Sequence, residues 1–144
     1  MMPDHASLLK RFPVAAGDFS SAGDASASMK GMLKKLGVNP GVIRRISIAA
    51  YEAELNLIIH SRGGELSMAV EPQLIRLKSE DVGPGIADVS KALQEGFSTA
   101  PESVRELGFG AGMGLPNMKR CANRFSISSQ LGEGTQIMME FDLA

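Results

Sequence analysis

Three short segments of this chain hold the carboxylates, amides and glycines with which a protein can bind a ligand and act on it. The first is Glu52-Ala53-Glu54-Leu55-Asn56, with His60 four residues further on. In a helix, Glu52, Asn56 and His60 share one face, because residues four apart are neighbours on a helix surface. A carboxylate and an amide oxygen one turn apart can bind a hard cation and accept a proton from a water or hydroxyl. The same spacing also fits an ordinary solvated helix face.

The second segment is Asp81-Val82-Gly83-Pro84-Gly85-Ile86, directly after a predicted strand. A carboxylate at the end of a strand can accept a hydrogen bond from an exocyclic amine, and the glycines let the backbone pass close to a flat ring. The alternative is a glycine turn in which Asp81 only caps the backbone. The segment lacks the Rossmann spacing and the chain has no Gly-Lys-Ser/Thr sequence, so neither a dinucleotide fingerprint nor a P-loop is supported.

The third segment, Gly108-Phe109-Gly110-Ala111-Gly112-Met113-Gly114-Leu115, has glycine at four alternate positions. It opens a helix that we predict from about residue 113. Successive main-chain amides at a helix amino terminus are suited to phosphate. A structural loop rarely needs four such glycines, so this segment favours a phosphate-binding loop.

The composition indicates one globular domain over residues 1–144, with 44% hydrophobic and 22% charged residues. A net charge of −1 gives no overall field toward nucleic acid or an anionic membrane, so neither is expected as a partner. The single Cys121 excludes an internal disulfide and a cysteine metal cluster and favours a reducing compartment. The apolar run around Ile58 is far too short for a bilayer span, and the amino terminus lacks an apolar signal core. We therefore predict a cytoplasmic protein.

The elements that must position these segments follow from the hydrophobic periodicity. Pro13 confines a first strand, about 6–14, to a sheet edge. Helices are predicted over about 20–36, 40–61, 87–95 and 113–123. Asn39-Pro40 caps the second helix, and a long loop over about 96–112 precedes the last one.

Two hairpins complete the predicted order β-α-α-β-β-α-α-β-β. In the first, Glu71-Pro72-Gln73 turns the chain between two alternating strands, and in the second the turn is Leu131-Gly132-Glu133-Gly134. Because hairpins replace βαβ crossovers, we expect a mostly antiparallel sheet with the helices on one face. The predicted fold class is therefore α+β, a two-layer sandwich.

Taken together and in this order, the three segments resemble the N, G1 and G2 boxes of the GHKL (Bergerat-fold) ATPase superfamily. The resemblance covers about 40–140 and is closest to the anti-sigma-factor and switch-protein serine/threonine kinases, which are small single domains. Gly96-Phe97-Ser98-Thr99, Gly114-Leu115-Pro116 and Gly132-Glu133-Gly134-Thr135 are similar to the corresponding stretches of stressosome switch kinases. The resemblance implies the Bergerat two-layer α/β sandwich with a mixed or mostly antiparallel sheet.

The resemblance also implies a role for each matching residue. Glu52 matches the general base of the N box, and Asn56 matches the asparagine that ligates Mg²⁺ at the phosphates of ATP. Asp81 matches the aspartate that holds the adenine amino group, and Thr135 matches a threonine that touches adenine. The other implied nucleotide-binding residues are Gly83, Gly85 and Ile86 at the adenine pocket, Gly108, Gly110, Gly112, Met113, Gly114 and Leu115 at the phosphates, and Ser98 and Thr99 in the loop.

The function implied is an ATP- and Mg²⁺-dependent serine/threonine kinase acting on a small anti-sigma-antagonist (STAS-domain) protein, as a possible homodimer. The alternative is a nucleotide-gated module that sequesters a sigma factor or another regulator with little turnover. The loop 96–112 is then a lid, expected to be mobile without nucleotide and protected with it. Glu54 lies about 200° around the helix from Glu52, so Glu54→Gln is expected to be close to silent.

Overall fold

The computed structural model describes residues 8–83, 85, 86, 89, 93, 94 and 114–143. Within them lie five strands, three α-helices and a short 3₁₀ turn, Phe19–Ser21. The strands are β1 (Leu8–Val14), β2 (Gly64–Val70), β3 (Leu74–Asp81), β4 (Arg124–Gln130) and β5 (Gly134–Asp142). The helices are α1 (Asp24–Lys35), α2 (Pro40–His60) and α3 (Gly114–Cys121).

The strands form one sheet in the order β1-β2-β3-β5-β4, and every neighbouring pair is antiparallel. Pro13 lies in the edge strand β1, as its missing N–H requires. Both predicted hairpins are present, β2–β3 and β4–β5. The α+β class and the mostly antiparallel sheet are thus confirmed.

One face of the sheet is buried under the helices. Met68, Leu77 and Met139 lie side by side across β2, β3 and β5 and are fully buried. The buried face of α2 is rich in alanine, and this lets the helix axis approach the sheet closely. The fully buried residues of α2 are Ile46, Ala49, Ala50, Ala53 and Leu57. Helices and sheet therefore form two layers around a single core.

The two long helices begin in different ways. At α2, Asn39 Oδ1 accepts a hydrogen bond from the Gly41 amide at 2.8 Å and Pro40 takes the first position, as predicted. α1 begins at Asp24, later than the predicted start near residue 20, because the 3₁₀ turn and a left-handed Gly23 come first. No side chain at Gly23 caps α1. Its first amides are bonded instead by a distant residue, Glu54.

The surroundings of Glu54 do not fit the expectation that Glu54→Gln is close to silent. Glu54 lies on a different face of α2 from Glu52, as predicted, but that face is covered by α1 and Glu54 is only 2% exposed. Its carboxylate oxygens accept hydrogen bonds from the amides of Ala25 and Ser26, at 3.1 and 3.2 Å. Glu54 is therefore a buried helix cap.

Two predicted elements lie mostly or wholly outside the described residues. Of the helix predicted over about 87–95, the structure describes one hydrogen bond, from the Leu93 amide to the Val89 carbonyl at 3.0 Å. The loop predicted over about 96–112 lies wholly outside. None of the helices in the described ranges has the length and apolar character to cross a membrane.

Candidate functional site

Asp81 ends β3 on the face of the sheet that the helices cover. Its Oδ1 accepts a hydrogen bond from the Thr135 amide at 3.0 Å. The other carboxylate oxygen, Oδ2, has no hydrogen-bond donor among the residues that the structure describes. Partial burial raises the pKa of Asp81 above its ordinary value, and the Thr135 amide opposes this shift. A half-buried acceptor without a described partner can receive a ligand amine.

The backbone comes unusually close to itself around Asp81. Gly134 has φ +142°, and a Cβ there would collide with the Asp81 carbonyl oxygen. Gly85 has φ +76°, and a Cβ there would collide with the Gln130 carbonyl oxygen. Only glycine fits both positions, since the left-handed conformation and the close approach each exclude a side chain. Main chain therefore packs directly against main chain beside Asp81, with no side chain of Gly85 or Gly134 between the segments.

Ser129 joins this region, and sequence reasoning missed it. Its Oγ accepts a hydrogen bond from the Ile86 amide at 2.7 Å and lies 2.9 Å from Thr135 Oγ1. It thereby ties the segment after β3 to the β4–β5 hairpin. Ser129 belongs to no motif, and only its register opposite Thr135 brings it here.

Glu52 and Asn56 meet the first residue of α3. A Cβ on Gly114 would lie 3.3 Å from Asn56 Oδ1 and 3.6 Å from Glu52 Oε1. Two oxygens from adjacent turns of α2 therefore face the same place beside a helix amino terminus. The third residue of the predicted face, His60, is the last residue of α2.

The amide oxygen of this pair suits a magnesium ion, and the carboxylate oxygen beside it suits proton transfer. An amide oxygen is a hard ligand, and Mg²⁺ commonly takes only one or two protein oxygens, with phosphates and water as the rest. The described part of the chain has no group of three or more His, Cys, Asp or Glu residues that could hold a metal by itself. Asn56 is the residue that would hold a cation shared with phosphate.

The Asp81 region and the pair Glu52 and Asn56 lie at different levels along α2. A Cβ on Gly83 would lie 3.3 Å from Cα of Ser61, directly after α2, so the Asp81 region adjoins the carboxyl end of this helix. Glu52 precedes Ser61 by nine residues, about 14 Å of helix axis at 1.5 Å per residue. A ligand held at Asp81 must therefore be elongated to reach Asn56 and Glu52.

Asn117 on α3 holds Glu52, and sequence reasoning missed this contact too. Asn117 Nδ2 donates to Glu52 Oε2 at 3.1 Å, and Arg120 Nη2 donates to Asn117 Oδ1 at 2.6 Å. Asn117 and Arg120 lie three residues apart, one helical turn, on the helix that follows the glycine-rich segment. Their spacing alone fits any helix surface, so no sequence signal marks them.

A groove of about 800 Å³ runs between α1 and α2 and reaches Glu52. Ile48 and Tyr51 contribute apolar surface and are 42% and 37% exposed. Three exposed cations also line the groove, and within the described residues none of them has an ion pair. These cations are Lys30, Lys34 and Arg44.

The remaining predicted site residues divide into two groups. Leu115 is described and is only 8% exposed, within the hydrophobic core. The others lie outside the described residues, and their roles stay predictions. These are Ser98, Thr99, Gly108, Gly110, Gly112 and Met113.

Comparisons with known proteins give matches over most of the chain. Residues 41–144 match the family described as histidine kinase-, DNA gyrase B-, and HSP90-like ATPase. The serine/threonine-protein kinase RsbT of Bacillus subtilis is 32% identical over 112 residues, which are 75% of this chain and 78% of that protein. An anti-sigma F factor of Geobacillus thermodenitrificans is 28% identical over 108 residues, covering 71% and 70% of the two chains.

A solved structure shares the fold. A chain in the crystal structure of the SiaB-SiaC complex from Pseudomonas aeruginosa aligns with a TM-score of 0.58. The alignment covers 95% of this chain and 90% of that one, at 12% sequence identity. At this identity the likeness concerns the fold.

Proposed function

This chain belongs to the histidine kinase-, DNA gyrase B- and HSP90-like ATPase family, and from that premise we propose that it is an ATP- and Mg²⁺-dependent serine/threonine protein kinase. Its proposed substrate is a small STAS-like regulatory protein. The names of two relatives, a serine/threonine kinase and an anti-sigma F factor, support this class of function.

The observation that carries the proposal is the convergence of Glu52 Oε1 and Asn56 Oδ1 beside Gly114. A protein that only binds nucleotide needs the amide oxygen for a shared cation but has no use for a carboxylate there. A kinase needs both, since the acceptor hydroxyl must give up its proton next to the phosphate that it attacks.

In the proposed complex, the adenine of ATP binds at Asp81 and its phosphates bind near Asn56. Asp81 Oδ2 accepts the hydrogen bond of the adenine amine, and Thr135 and the glycine backbone enclose the ring. Asn56 holds the cation, which when bound neutralises charge on the phosphate oxygens. The amino terminus of α3 adds its amides and the positive end of its dipole.

Glu52 performs the proton transfer in this proposal. Its Oε1 accepts the proton of a serine or threonine hydroxyl as the oxygen of that hydroxyl forms a bond to the γ-phosphorus. The bond from the γ-phosphorus to the bridging oxygen breaks, and ADP leaves with the electron pair. The products are ADP and a phosphoserine or phosphothreonine on the partner.

The groove between α1 and α2 gives the partner a route to Glu52. It reaches this residue, and it combines exposed apolar side chains with the cations Lys34 and Arg44. Charge complementarity favours a partner surface with acidic residues around the acceptor hydroxyl. We therefore place the docked partner along this groove.

The test is Glu52→Gln, which keeps the size of the side chain and removes its basicity. Each STAS-domain protein of the source genome is purified and incubated with MgATP. We expect transfer to the true partner to fall by roughly 10²- to 10⁴-fold, while calorimetry shows nearly unchanged MgATP affinity. The matched control is Glu65→Gln, on the other face of the sheet, where the side chain is 45% exposed.

The same assay distinguishes the kinase from the second candidate function, a nucleotide-gated binding module. A nucleotide-gated binding module would bind its partner in an ATP-dependent way, without transfer in the parent protein. Glu52→Gln would then change neither nucleotide binding nor partner binding. Equal transfer rates in the Glu52→Gln and Glu65→Gln variants would also refute the kinase mechanism.

A further inference from the structure

We infer that Asn117 is a positioning residue for Glu52, with its amide oriented by Arg120. It holds one oxygen of the Glu52 carboxylate and leaves the other to receive the proton. The inference rests on the proposed function of Glu52 as the base. It is supported by hydrogen bonds and packing in the described residues.

The direction of the two hydrogen bonds is set by chemistry. A guanidinium only donates, so the 2.6 Å contact of Arg120 Nη2 must end on the Asn117 carbonyl oxygen. The amide nitrogen of Asn117 is thereby turned toward Glu52 Oε2, 3.1 Å away. An ionised carboxylate only accepts. Donation therefore runs in one direction, from Arg120 to Asn117 and from Asn117 to Glu52, and it fixes the orientation of the Glu52 carboxylate.

The two oxygens of Glu52 have different surroundings. Oε2 is bonded to Asn117, whereas the residue next to Oε1 on α3 is Gly114, which has no side chain. A Cβ at Gly114 would already come within 3.6 Å of Oε1. Within the described part of α3, no side chain beside Oε1 competes with an incoming hydroxyl.

Asn117 can orient Glu52 because α3 itself is fixed on α2. Met118 is fully buried in the core. At the carboxyl end of α3, Arg45 Nη1 donates to the Cys121 carbonyl at 3.2 Å and to Asn123 Oδ1 at 3.3 Å. Leu115, which precedes Asn117, is also buried in the core at 8% exposure, so α3 is anchored both before and after Asn117. A carboxylate held by such a helix does not need to be ordered when the acceptor arrives.

A double-mutant cycle tests the inference, because a residue that acts through Glu52 must lose its effect when Glu52 is replaced. The parent, Asn117→Ala, Glu52→Gln and the double variant are assayed with saturating MgATP and a purified STAS-domain protein that the parent phosphorylates. We expect Asn117→Ala to lower kcat by roughly 10- to 100-fold, with little change in KM. In the Glu52→Gln background the same substitution should have almost no effect.

Two further variants test whether the effect on kcat belongs to the Asn117 amide and not to a loss of folding. Asn117→Asp keeps the shape and can still accept from Arg120, but it places a second carboxylate against Glu52, so its loss of kcat should at least equal that of alanine. Lys119→Ala, an exposed change on the same helix, should leave kcat unchanged. Thermal unfolding of each variant shows which of them are folded at the assay temperature.

Equal fractional losses from Asn117→Ala in both backgrounds would overturn the inference, because Asn117 would then act independently of Glu52. A parental kcat in the folded Asn117→Asp variant would overturn it as well. A different result would refute the proposed function. If Glu52→Gln alone transfers phosphate at the parental rate, the proposed base is wrong, whatever Asn117 does.

Discussion

Glu54 Oε2 lies 3.1 Å from the amide nitrogen of Ala25, although 29 residues separate the two along the chain. The second oxygen accepts from the Ser26 amide at 3.2 Å. One carboxylate in the middle of α2 thus bonds two amides at the amino terminus of α1, where no local side chain does so. The partial positive charge at a helix amino terminus stabilises the buried carboxylate. The two helices are thereby joined by a polar contact inside an apolar interface.

Replacing Glu54 should therefore destabilise the protein. Glu54→Gln keeps one acceptor and loses the charge, and we expect a loss of about 1 kcal/mol in the free energy of unfolding. Glu54→Ala leaves two buried amides without an acceptor and should cost about 1–3 kcal/mol. Urea unfolding followed by circular dichroism measures both. The exposed control Glu65→Gln should unfold at the parental midpoint, and the same midpoint for Glu54→Gln would show that the cap contributes nothing.

Asp81→Asn should reduce adenine-nucleotide affinity at least about tenfold. The amide can still accept from the Thr135 amide, so the fold should be kept, but its NH₂ group faces the donating adenine amine. Calorimetry with ATP measures the affinity. Unchanged affinity in a folded Asp81→Asn variant would remove Asp81 from the nucleotide site.

The pH dependence of ATP binding provides a second test of the same residue. Since burial raises the pKa of Asp81, its carboxylate becomes protonated at a higher pH than an ordinary aspartate as the solution is acidified. The ionised form is the better acceptor, so affinity should fall with decreasing pH while the protein is still folded. Asp81→Asn should lack this dependence, because its side chain does not titrate.

Asn56→Ala should weaken ATP binding in the presence of Mg²⁺ much more than in its absence. The variant removes one of the few protein oxygens on the proposed cation and touches no part of the adenine region. Titrations with ATP in MgCl₂ and in EDTA compare the two conditions. Equal losses in both would make Asn56 a structural residue.

Charge reversal in the groove should weaken partner binding without affecting nucleotide. Arg44→Glu and Lys34→Glu replace cations that line the groove, and we expect each to lower affinity for the STAS-domain partner about tenfold at low salt. Lys35→Glu is the matched control, since Lys35 is exposed on the same helix as Lys34 and does not line the groove. Equal effects of Lys34→Glu and Lys35→Glu would point to overall charge rather than to this groove.

The sequence by itself determined the helix starts and hairpins that depend only on residues close together in the chain. Asn39-Pro40 predicts the start of α2 because the cap and the first turn are adjacent in the chain. Alternating apolar residues predict the hairpins and hence the antiparallel sheet. Local spacings that match known boxes likewise predict Glu52, Asn56 and Asp81 as site residues. The predicted start of α1 is too early, because a 3₁₀ turn and Gly23 come first and the first amides of the helix bond to Glu54, far away in the chain.

Only the tertiary structure decided which residues support the site. Ser129 reaches Ile86 through the register of β4 on β5, and Asn117 reaches Glu52 through the packing of α3 on α2. Glu54 is buried because α1 covers its face of α2, whereas Glu52, two residues earlier, borders the open groove. Periodicity tells which residues share a face of one element. It carries no information on which element will cover that face, since packing joins residues that the chain keeps far apart.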